Sequence, residues 1–154
     1  MIYLLVAAGA FLLDFFVKRY MDKTYDRKVF HPRLGGRIII EKYYNDGAAL
    51  NLLSRFPHIL RLLHTFAVVV VGVLYYFSLR MTGQPLTNVG LSLLLGGGVN
   101  NLYDRYTKGH VVDYFHLNFG PKRLRRIVFN LSDFFIFFGA LLAAISADLG
   151  QNTP

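Results

Sequence analysis

The stretch Ile2-Tyr-Leu-Leu-Val-Ala-Ala-Gly-Ala-Phe-Leu-Leu-Asp14-Phe-Phe-Val17-Lys18 decides the fold. It is an apolar run broken by a single carboxylate. A carboxylate in or near hydrocarbon is costly, so it faces a polar interior and carries function. The run is slightly short for a bilayer, and Lys18 extends it by snorkelling. No basic residue precedes it, and Ala7, Ala8 and Ala10 lie mid-segment with apolar residues on both sides. It therefore reads as a retained anchor rather than a cleaved signal peptide.

Three more apolar runs follow, over about 59–79, 86–103 and 127–147, so with 2–17 there are four. The third contains Gly96, Gly97 and Gly98, which weaken a soluble helix but let helices approach closely in a membrane. These runs predict an all-α membrane protein. It is a four-transmembrane-helix bundle, one domain over 1–154, with a small β-containing interfacial segment between helices 1 and 2. In that segment 37–44 reads as a strand and Asn45-Asp46-Gly47 as a turn. The content of 54% hydrophobic residues and mean hydropathy of +0.38 are too apolar for an ordinary soluble domain. The net charge of +8 points to anionic membrane phospholipids and not to nucleic acid. The absence of cysteine excludes disulfides and thiol chemistry. The five histidines show no metal-ligand spacing, and neither a phosphate-binding loop nor a serine nucleophile elbow is present.

If the four runs alternate direction, their polar ends meet on one side. Asp14 and Lys18 are four apart with the acid first, which favours an ion pair that pins a helix end over direct catalysis. Asn101, Asp104 and Arg105 share a helical face. They form either a buried supporting network or a substrate contact. Asp113 follows the third run, and Asp133 lies three residues after Asn130 near the start of the fourth. Converging there, the two carboxylates hold one proton between them. One then takes a proton from water while the other donates to a carbonyl oxygen, which is peptide hydrolysis without a metal. The bland alternative is two unrelated polar anchors.

At these residues the chain resembles the lipoprotein signal peptidase family, intramembrane aspartic peptidases with four transmembrane helices. Five motifs in order carry the resemblance: Asp14-Phe-Phe-Val-Lys18, Asn45-Asp-Gly47-Ala48-Ala49, Gly96-Gly97-Gly98-Val-Asn100-Asn101-Leu-Tyr-Asp104-Arg105, Gly109-His-Val-Val-Asp113-Tyr114 and Phe129-Asn130-Leu-Ser132-Asp133. The resemblance implies that Asp113 and Asp133 are the catalytic pair. Asn45, Gly47, Asn101, Arg105 and Asn130 then contact substrate or brace the pair, and Asp14, Lys18 and Asp104 hold the architecture. It implies a prolipoprotein whose cysteine already bears a diacylglyceryl group, cleavage just before that cysteine, no cofactor, and a monomer in the bacterial inner membrane.

The chain departs from the family pattern at several places. Asn100 stands for a glycine, Ser132 for an alanine, and Leu50 and Asn51 for an aromatic and a small residue. Ser132 is placed to tune the carboxylate beside it, and Asn100 either loosens that helix contact or adds a hydrogen bond to it. The positive-inside rule assigns the basic stretches 18–58 and 104–126 to the cytoplasm. The resemblance instead puts both termini there and the active site toward the outer face, with the basic aromatic loops on lipid headgroups. Two competing functions are a non-cleaving binder of lipidated peptides and a small membrane carrier. The acids cluster at one end rather than crossing the midplane, which argues against the carrier.

Overall fold

The computed structural model describes residues 1–48 and 53–151, with side chains through Ala147. Four long helices carry the chain: α1 (Ile2–Thr24), α2 (Pro57–Arg80), α3 (Pro85–Thr107) and α4 (Leu131–Gln151). Four short strands form one antiparallel sheet in the order β1 (His31–Arg33), β2 (Ile38–Asn45), β3 (Val111–Leu117) and β4 (Val128–Phe129).

Proline opens α2 and α3, at Pro57 and Pro85. Its fixed φ suits the first turn, and the N–H it lacks would have no intrahelical partner there. Four residues join α2 to α3. The other two connections, α1 to α2 and α3 to α4, each pass through the sheet. The polar ends of all four helices therefore meet at one end of the bundle, beneath that sheet.

The bundle is polar inside and apolar outside. Lys18, Asn100, Asp14, Asn130, Ser92 and Ser132 are buried, while Leu5, Leu62, Phe66, Phe77 and Phe137 are exposed. Within the described residues, Pro57–Arg80 is the one helix long and apolar enough to cross a membrane by length and composition. The glycines of α3 work as close-approach points. A methyl on Gly97 would stand 2.6 Å from the Ser132 carbonyl oxygen, and one on Gly90 would stand 2.7 Å from that of Gly139. Small residues thus let α3 and α4 touch backbone to backbone.

The element boundaries differ from the sequence reading. α1 runs on to Thr24 and α3 to Thr107, so Asp104 and Arg105 are helical. The fourth helix starts at Leu131 rather than near 127, because Val128 and Phe129 pair with β3 instead. The single expected strand is one of four, and the second basic segment and the start of the fourth apolar run supply one strand each, β3 and β4.

Candidate active site

A bulge in β2 aims the first site residue. The pairing Ile40↔Phe115 gives way to Tyr43↔Asp113, so Glu41 and Lys42 together oppose Tyr114. An extra residue in one strand shifts its register by one and turns its side chains to the other face. Had the first register continued, Asn45 would lie on the face away from Asp113. With the bulge it lies diagonally across from Asp113 on the same face, and its Nδ2 donates to Asp113 Oδ2 at 2.8 Å. The Gly47 N–H donates back to Asn45 Oδ1 at 3.1 Å, the side-chain turn that Asn-Asp-Gly forecasts.

Asn130 and Asp133 close the N-terminus of α4. The Asn130 N–H donates to Asp133 Oδ2, and the Asp133 N–H donates to Asn130 Oδ1, each at 3.0 Å. This reciprocal pairing is a capping box, with an asparagine cap and an aspartate at the third helical position. The Asn130 Nδ2 is still available, and it donates to Asp113 Oδ1 at 2.6 Å. One buried asparagine therefore touches both carboxylates. Burial first, and then the neighbouring charge of Asp133, pushes the Asp113 carboxyl up from 3.8 to about 8.

Lys18 organises the layer beneath. Its Nζ lies 3.0 Å from Asp14 Oδ2 and 3.3 Å from Asp104 Oδ2, and donates to the side-chain oxygens of Asn100 and Asn101, both at 2.6 Å. With its oxygen held by Lys18, the Asn101 amide must turn its Nδ2 outward, where it donates to Asp133 Oδ1 at 3.0 Å. Asn100 donates in turn to the Phe11 carbonyl at 2.7 Å, so the residue standing for the family's glycine ties α3 to α1.

Asp14 does more than pin a helix end. It accepts the Ser132 N–H at 3.1 Å, the Ser132 hydroxyl, and the Tyr114 hydroxyl at 2.8 Å. Tyr114 accepts the Leu131 N–H at 2.9 Å. Burial and the Asp14 charge keep that phenol protonated well above its ordinary range. Leu131, Ser132 and Asp133, whose N–H groups would otherwise be orphaned, thus all have partners. Ser132 was expected to tune Asp133; its hydroxyl instead goes to Asp14.

Asn101, Asp104 and Arg105 share a face yet reach three different neighbours. Asp104 accepts from Lys18, from Lys108 Nζ at 3.1 Å, and weakly from the Val112 N–H at 3.4 Å, which fastens β3 to α3. Arg105 donates to the Gly47 carbonyl at 2.5 Å. Its buried Nε has no partner among the described residues. Ala49, Leu50 and Asn51 lie outside the described residues. No group of three or more His, Asp or Glu side chains that could hold a metal ion occurs among those described.

The sequence reading missed Tyr114. Its signal was a tyrosine where the motif carries phenylalanine, and the added hydroxyl gives Asp14 a second link to α4 beside Ser132.

Residues 6–148 match the family model of Signal peptidase (SPase) II. A lipoprotein signal peptidase of Aquifex aeolicus is 33% identical over 143 residues, 92% of this chain and 82% of that one. One of Bacillus pumilus is 30% identical over 157 residues, covering 99% of this chain and 97% of its own. A solved bacterial membrane enzyme superposes with a TM-score of 0.83 at 20% identity, covering 97% of this chain and 89% of that one, which is likeness of fold. Matched along nearly its whole length, the chain belongs to the signal peptidase II family of peptidases.

Proposed function

We propose that this chain is an intramembrane aspartic endopeptidase that removes the signal peptide from diacylglyceryl-modified prolipoproteins, cutting just before the lipidated cysteine, with Asp113 and Asp133 as its hydrolytic pair. The observation that carries this reading is Asn130, which bonds to both carboxylates at once. Family membership supplies the substrate class.

The chemistry needs one proton shared by the pair. With that proton on Asp113, Asp133 takes a proton from the attacking water. Asp113 gives its proton to the carbonyl oxygen as the water oxygen bonds to carbon. Collapse of the tetrahedral intermediate breaks the C–N bond. The proton on Asp133 passes to the departing cysteine nitrogen, and Asp113 recovers its own from the intermediate's hydroxyl. The side-chain oxygen and one amide hydrogen of Asn130 are engaged, which favours bracing the pair over contacting substrate. Arg105 and Asn45 are candidates to meet the substrate backbone beside the Asn45–Gly47 turn.

The same reading makes the chain one domain of four membrane spans, with the sheet at the outer surface and both termini in the cytoplasm. Its support is the apolar outer surface of the helices around a polar interior. Acyl chains held in the bilayer then deliver the scissile bond near the surface, which lowers the entropic part of the barrier. A tag-accessibility assay finding the N-terminus outside would overturn the orientation.

The deciding experiment is cleavage of a prolipoprotein peptide with and without its diacylglyceryl group, by purified wild type and by Asp113→Asn and Asp133→Asn. Cutting just before the lipidated cysteine, lost in both variants while they stay folded, is expected. Turnover retained by either variant would sink the pair. Binding without product by the wild type would make the chain a non-cleaving relative.

A further inference from the structure

Six cations take no part in the site. Arg33 and Arg37 flank the apex of the β1–β2 hairpin, and Lys122, Arg123, Arg125 and Arg126 crowd the β3–β4 connection. All six are exposed, and none forms an ion pair among the described residues. The two connections lie side by side. The Asn118 N–H donates to the Arg37 carbonyl at 2.8 Å, and Asn118 Nδ2 donates to the Gly36 carbonyl at 2.9 Å. Among the cations stand two exposed apolar side chains, Leu34 at 73% and Phe119 at 50% exposure. This apex is the end of the sheet away from the helices, five residues along β3 from Asp113, or about 17 Å at the rise of an extended strand.

We propose that the apex is a docking surface for anionic phospholipid headgroups, with the six cations facing the phosphates and Leu34 and Phe119 inserted among the lipids. Like charges gathered at one apex repel one another and are relieved by an anionic surface. That relief alone would suit any polyanion. Leu34 and Phe119 narrow the choice, because a polyanion in water leaves both of them wet, whereas a bilayer surface receives the apolar groups and the cations together. The inference rests on the proposed placement of the sheet at the membrane surface. It also explains how a strongly basic face can lie opposite to the side that the positive-inside rule assigns it: local attraction to anionic lipid holds it there. Docked in this way, the apex holds β2 and β3, and with them Asn45 and Asp113, down on the surface where a lipidated cysteine arrives.

The chain contains no tryptophan, so Phe119→Trp makes a single fluorescent reporter at the apex. The protein is placed in nanodiscs of phosphatidylcholine alone or mixed with phosphatidylglycerol, each with brominated acyl chains. Blue-shifted, strongly quenched emission is expected in the anionic discs. It should fall to the phosphatidylcholine level when Lys122→Gln, Arg123→Gln, Arg125→Gln and Arg126→Gln are combined. Inorganic phosphate added to phosphatidylcholine discs should not reproduce it. Equal quenching in both disc types, or none in either, would overturn the proposal. Should the fourfold variant fail to fold, the comparison between disc types decides by itself. Cleavage of the lipidated peptide in the same discs reports separately on the proposed function. Cutting without lipid-dependent quenching removes this inference alone, and quenching without cutting removes the catalytic reading alone.

Discussion

Asn130 and Asp133 hold each other through two hydrogen bonds of 3.0 Å, each running from the main-chain N–H of one to the side chain of the other. The helix start and the proposed catalytic carboxylate are therefore one piece of structure. One side-chain amide hydrogen of Asn130 serves Asp113. Substitutions at this position should separate the two jobs. Asn130→Ser keeps a good cap and loses the bond to Asp113, so stability should fall little while turnover falls about 2–10-fold, the worth of a hydrogen bond to a protonated carboxyl. Asn130→Ala loses the cap as well and should cost about 1 kcal/mol further. Thermal unfolding in detergent beside cleavage kinetics would test the split. Equal behaviour of the two variants would contradict it.

The raised carboxyl of Asp113 gives a signed pH dependence. Between its ordinary 3.8 and its folded value of about 8, the native protein holds a proton that the unfolded chain has released. The stability this provides is complete below 3.8 and is lost as pH rises through about 8. Turnover needs the same proton, so it should fall along the same alkaline limb. A pH series of melting temperatures for wild type and Asp113→Asn checks the first point, since the variant should lose this part of the slope. A cleavage profile still rising well above pH 8 would count against Asp113 as the acid.

Lys18 neutralises two buried carboxylates and orients Asn101. Lys18→Met leaves Asp14 and Asp104 without their shared cation, and removing one member of a buried charge cluster costs on the order of 3–5 kcal/mol. Lys18→Met combined with Asp14→Asn should recover part of that loss, because one orphaned charge goes with it. Measured stabilities showing no recovery would mean that the pairing is not the source of the effect.

The contact between Gly97 and Ser132 sets the position of Asp133 one residue further on. A methyl at Gly97 would meet the Ser132 carbonyl oxygen at 2.6 Å. Gly97→Ala must push α4 away from α3, at about 1–3 kcal/mol for an overpacked contact. Turnover should drop with it, whereas Gly72→Ala, where a methyl meets nothing within 4 Å, should be silent. Kinetics of the pair would decide, and equal effects would refute the geometric argument.

Much of the protein was legible in the chain alone. Four apolar runs stand out because so few charges interrupt them, and the carboxylates stand out against those runs for the same reason. Asp14 with Lys18, the glycines of α3, and the turn at Asn45–Gly47 are all local patterns, and local patterns can be read from spacing. Five such motifs in order were enough to indicate the family. Tertiary structure decided what spacing cannot encode. The bulge at Glu41 and Lys42 turned Asn45 toward Asp113, although nothing in a one-dimensional pattern tells which strand residue will be left unpaired. β4 took Val128 and Phe129 from the apolar run that suggested helix, because pairing with β3 satisfied their backbone. Ser132 bonded to Asp14, 118 positions away, and not to its neighbour Asp133. Tyr114 joined a helix it does not belong to. Each of these is a long-range choice of hydrogen-bond partner. A buried donor takes whatever acceptor the packed chain brings within reach, and only the fold determines which one that is.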